Sequence, residues 1–177
     1  MTPENRTDRR WHLSLVQNYL PDVVYGANDG IVTTFVVIAS ISGAALSSSV
    51  ILILGFANLV ADGFSMGVSN VLAVRSTLTA LDRPPLADAS RRGLATFIAF
   101  NIAGLLPLSA YMLPMSNDVR FPVACCLAAG ALFSVGACRS LFSDRAWLVA
   151  GGEMLLLGSL ASIVAYSIGA VAAELAG

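Results

Sequence analysis

The sequence predicts an all-α, polytopic membrane protein with five transmembrane helices, its N-terminus inside and its C-terminus outside. Three observations carry this. Of 177 residues, 56% are hydrophobic and 12% charged, about half the charge of an ordinary soluble domain. Mean hydropathy is +0.77, and a soluble domain of this size has too little interior to hide so much apolar surface. Five runs reach the roughly 20 apolar residues that a bilayer core asks of a helix, and the basic residues cluster on one side of them.

The chain divides into a cytoplasmic or interfacial segment, residues 1–22, and a five-helix membrane domain, residues 23–177. The first segment opens on Arg6, Arg9 and Arg10, but Asn18, Pro21, Asn28 and Asp29 interrupt any signal-peptide core. Residues 11–20 fit an interfacial position, with Trp11 and Tyr19 as amphipathic anchors. His12 is the one histidine, either solvated at headgroup level or a sensor of pH or an entry ligand.

The predicted spans are 23–46, 50–74, 93–114, 121–142 and 147–171. Only Ser47, Ser48 and Ser49 separate the first two, so these form a tight hairpin. The connection 75–92 holds Asp82, Pro84, Pro85 and Asp88 and is a linker rather than a folded domain. All ten basic residues are arginine. With the N-terminus inside, Arg6, Arg9, Arg10, Arg75, Arg83, Arg91, Arg92, Arg139 and Arg145 lie on or near the cytoplasmic side and Arg120 alone outside. The positive-inside rule selects that orientation.

Asp62 is the most informative residue, because it stands near the middle of the second span. A carboxylate at that depth costs about 3 kcal/mol and persists where it faces a bundle interior or a water-lined path. Asn58 and Met66 lie one turn before and one turn after it, so the three share a helix face. Oxygen ligands beside a thioether suit Fe(II), Mn(II) or Zn(II) better than Mg(II) or Ca(II). One helix supplies too few ligands, and pairing two copies of the chain would double them.

Other residues admit two readings. Asp29, in Gly26-Ala27-Asn28-Asp29-Gly30, is either an ion-handling carboxylate or an Asx-type cap where a helix begins or breaks. Glu153 is either a candidate proton or secondary site or a partner of Arg145. Asn58, Asn70 and Asn101 also fit interhelical hydrogen bonding. Gly63 and Gly67 form a G-x-x-x-G, as do Gly26 and Gly30, which lets a neighbouring backbone approach. The sequence reading assigns Gly63 and Gly67 to a homodimer contact. Cys125, Cys126 and Cys138 read as packing residues rather than disulfides or thiolate ligands. The sequence carries no Ser/His/Asp set, phosphate loop or nucleic-acid signature, so no enzyme, cofactor or nucleic-acid partner is expected.

The run from Tyr25 to Phe35, Ser42-Gly43-Ala44, and Ala61-Asp62-Gly63-Phe64-Ser65-Met66-Gly67 closely resemble the vacuolar iron transporter (VIT) family, as does Tyr166-Ser167-Ile168-Gly169 near the end. The resemblance implies a homodimer in the lipid bilayer that exports Fe(II), and often Mn(II), in exchange for protons. It places the path at the dimer interface between the first two helices of each subunit. Asp29 and Met66 match the family's path residues. Where plant-type members have a glutamate this chain has Asn58, and Asp62 stands one turn nearer the cytoplasm where they have glycine. Residues 75–92 cannot be the glutamate-rich metal-collecting domain that those members insert. The alternative expectation is a non-transporting scaffold or regulatory protein of the same fold. The all-arginine composition and small size point to a bacterial inner membrane.

Overall fold

The computed structural model describes residues 3–76, 86–142 and 145–176, with the side chains before Tyr19 and that of Phe142 outside the description. His12 and Trp11 therefore lie outside the described side chains, as do Asp82, Pro84 and Pro85 in the linker. Five helices follow in order: α1 Pro3–Gly43, α2 Ser48–Ser76, α3 Leu86–Ser109, α4 Asn117–Arg139 and α5 Trp147–Ala176. Each contains a stretch long and apolar enough to cross a membrane, that of α1 being Tyr19–Gly43.

The first span is predicted to begin at residue 23, whereas α1 runs from Pro3 to Gly43, through Asn18, Pro21, Asn28 and Asp29, without interruption. An internal proline loses one helical hydrogen bond. A break within the apolar layer would instead leave several backbone groups without partners, a larger penalty where no water reaches. The hairpin also shifts. Helix α1 ends at Gly43, and residues 44–47 make the turn. Ala45 takes a left-handed φ of 53°, and the Leu46 amide returns to the Ile41 carbonyl at 3.2 Å, a Schellman-type closure.

Helix α3 starts at Leu86 rather than 93 and ends at Ser109 rather than 114. Its first turns lie among charged residues, where Asp88 and Arg91 pair at 3.6 Å. At the other end of the bundle, Arg120 donates to the Asn117 side chain at 2.9 Å. Arg75, Arg91, Arg92, Arg139 and Arg145 gather at one end, termed here the basic end, and Arg120 at the opposite one.

Helix α1 is the hub. It packs on α3, α4 and α5, and 56% of its apolar window is buried, against 28% for α2 and 22% for α4 and for α5. Ile31, Ile38, Phe100, Leu108 and Leu132 are fully enclosed in the resulting core. Helix α2 leans mainly on α3 and leaves Ile53, Val60, Phe64 and Leu72 exposed. Apolar exposure of this extent belongs to a surface that meets lipid or another helix.

Candidate metal site between α1 and α2

The site is built on Phe100 of α3, which is fully buried. On one side the Phe100 carbonyl occupies the space a Cβ on Gly30 would need. On the other, its ring lies 3.1 Å from where a Cβ on Gly63 would stand. Asp29 precedes Gly30 and Asp62 precedes Gly63. Two glycines pressed on one α3 residue thus bring the two carboxylates to the same depth. Asp29 and Asp62 are both half-buried, and the Asp62 charge reaches Asp29.

Asn58 and Met66 are half-buried like Asp62, on the same stripe of α2. Asp29 is not a cap. It lies well inside α1, and the local hydrogen bond there runs from Thr33 Oγ1 to the Asp29 backbone carbonyl at 2.8 Å. No three His, Cys, Asp or Glu side chains come together among the described residues. One chain thus places Asp29, Asp62, Met66 and Asn58 along this seam as candidate ligands.

The assignment of Gly63 and Gly67 to a homodimer contact is overturned. The space beside Gly63 is filled by Asn101 and Phe100, and that beside Gly67 by Gly93 and Phe97, all on α3 of the same chain. Gly26 likewise meets the Thr96 carbonyl. These small residues are used up within the bundle. The stripe of α2 that stays open holds Ala57, Ala61, Ser65 and Ser69, beside Asp62.

Glu153 lies apart from the carboxylate pair. It accepts from Arg145 at 2.6 Å and approaches Arg139 at 3.8 Å, tying α5 to the end of α4. Asn101 bonds back to the Phe97 carbonyl of its own helix at 2.8 Å rather than across to another. Cys125 is half-buried, Cys126 and Cys138 are exposed, and all three are free.

At a second polar centre Asn70 makes the interhelical hydrogen bonds expected of it, while the ion pair it serves, Asp22 with Arg92, escaped sequence reasoning. Asp22, at 8% exposure, binds Arg92 at 2.7 Å. Asn70 donates to Asp22 at 3.0 Å and to Thr96 at 2.6 Å. The available signal was spacing. Asp22 stands two turns before Asp29 on the same face of α1, and Asn70 continues the Asn58–Asp62–Met66 stripe.

Five bilayer-length helices, four of them arranged about the hub α1, define a polytopic helical membrane protein. A sequence model described as the VIT family matches residues 20–84 and 79–170, and the chain belongs to that family. It is 24% identical to a vacuolar iron transporter of Toxoplasma gondii, over 90% of this chain and 76% of that protein. It is 27% identical to vacuolar iron transporter homolog 2 of Oryza sativa subsp. japonica, over 85% and 88% respectively. Against vacuolar iron transporter 1 of Arabidopsis thaliana, identity is 40% over 55 residues, 31% of this chain and 22% of that one.

Proposed function

We propose that this protein is a secondary transporter exporting Fe(II), Mn(II) or both from the cytoplasm in exchange for protons. The observation that carries this reading is the apposed pair Asp29 and Asp62, half-buried within two membrane-crossing helices beside Met66. The names of the relatives, iron transporters, support the choice of cargo. A carboxylate must be deprotonated to bind a metal, so metal and proton compete for the same oxygens. That competition is the elementary form of exchange: the ion leaves as protons arrive from the other side.

The ligand shell is completed by a second copy of the chain, giving a homodimer in which the open stripes of α1 and α2 face their counterparts. Polar Asp62, Ser65 and Ser69 would otherwise face hydrocarbon. The N-terminus is inside and the C-terminus outside, in a bacterial inner membrane, in accord with the crowding of arginines at one end of the bundle.

The test is flux into proteoliposomes under an imposed pH gradient, comparing Fe(II), Mn(II), Zn(II) and Co(II). Uptake of Fe(II) or Mn(II) with counterflow of protons is expected. Absence of metal flux in a folded, reconstituted protein would leave the scaffold reading instead.

A further inference from the structure

Every side-chain bond to the Asp22 carboxylate among the described residues leaves α1. Arg92 of α3 donates from Nε at 2.7 Å and from Nη2 at 3.3 Å. Asn70 of α2 donates from Nδ2 at 3.0 Å and shares that amide with Thr96 Oγ1 at 2.6 Å. Among the described residues, Asn70 to Asp22 is the side-chain hydrogen bond that joins α1 directly to α2. Elsewhere along the seam the two helices lean chiefly on α3.

The position of this cluster is informative. Asp22 lies about two turns from Asp29 and Asn70 about two turns from Asp62, each toward the basic end. The tie therefore sits between the carboxylate pair and the side from which the arginines project. A buried ion pair adds little stability that apolar packing could not match, while losing one partner strands a charge. Such a pair is well suited to holding one arrangement of helices until something competes for the carboxylate. Arg92 is a tethered cation on that carboxylate, and its side chain retains 37% exposure, against 10% for Asp22. It is thus reachable from the basic end.

We propose that Asp22, Asn70 and Arg92 are positioning residues that clasp α1 to α2 at the basic end and control access to the Asp29–Asp62 seam from that side. A divalent cation arriving there competes for the Asp22 carboxylate with both the Arg92 guanidinium and the Asn70 amide, and their displacement frees the basic end of α1 from α3 and α2 together. The inference rests on the reading of that seam as the ion path.

The test measures access rather than activity. Met66→Cys is placed in the full chain with Cys125, Cys126 and Cys138 changed to alanine. Labelling by a membrane-impermeant maleimide is timed in spheroplasts and in inverted vesicles. Arg92→Gln should speed labelling at least tenfold from the basic-end side and leave the opposite side unchanged. The exchange Asp22→Arg with Arg92→Asp should return the rate toward that of the parent. Unchanged labelling in folded Arg92→Gln, or equal acceleration from both sides, overturns the proposal, the second outcome meaning a loosened bundle. If Arg92→Gln does not fold, Asn70→Ala removes only the α2 arm and should give a smaller, still one-sided acceleration. No acceleration there is equally fatal. Flux is read separately in the parent chain with Met66 intact: clasp-dependent labelling with no metal flux there would defeat the transport reading and keep the clasp, and flux without clasp-dependent labelling does the reverse.

Discussion

The carbonyl of Phe100 lies where a Cβ on Gly30 would have to stand, so α1 and α3 meet backbone to backbone beside Asp29. Gly30→Ala should therefore be among the most damaging small substitutions in the chain. A backbone obstacle cannot swing aside, and forced overpacking costs about 1–3 kcal/mol. Gly152, with nothing within 4 Å of its Cβ position, is the control. Thermal unfolding in detergent should show a clear drop for Gly30→Ala and little change or a slight gain for Gly152→Ala. Equal behaviour of the two would contradict the packing described.

Asp62→Asn should abolish metal flux and leave the fold intact. The amide preserves size and much of the hydrogen bonding but removes the charge and the exchangeable proton. Asp29→Asn should impair flux similarly, and its position inside α1 rather than at a cap means that expression and monodispersity should hold. Wild-type flux in either folded variant would remove that residue from the site.

Met66→Leu separates ligand from packing. The swap conserves volume and usually costs under about 1.5 kcal/mol in a core. Loss of a soft thioether should lower Fe(II) and Co(II) flux more than Mn(II) flux, since Mn(II) depends more on oxygen. The readout is the Fe/Mn flux ratio at matched protein density. Unchanged rates and ratio would make Met66 a packing residue.

Single cysteines along α2 should map the contact between two copies. Ala61→Cys and Ser65→Cys, on the open stripe, should crosslink efficiently in membranes. Gly63→Cys and Gly67→Cys, turned into α3, should not. The reverse pattern would restore the glycines to the dimer interface, and no crosslinking anywhere on the stripe would argue for a monomer.

The sequence by itself determined the class of the molecule and much of its site. Charge depletion and the length of the apolar runs revealed five membrane-crossing helices, because a bilayer imposes both. Period along one helix placed Asn58, Asp62 and Met66 together, and the misplacement of a carboxylate in hydrocarbon marked Asp62. What period cannot give is the neighbour that a face meets. Lipid tails and apolar side chains are chemically alike, so a small-residue stripe such as Gly63/Gly67 says that something approaches closely, not which helix does. Tertiary structure decided that it is α3 of the same chain. It likewise decided that Glu153 pairs with Arg145 and Arg139, and that Asp22 meets Arg92, 70 residues away. Charges so far apart in sequence find each other only when helix crossings fix their depth, and those crossings rest on backbone contacts at Gly26, Gly30 and Gly67 that no pattern along a single helix records.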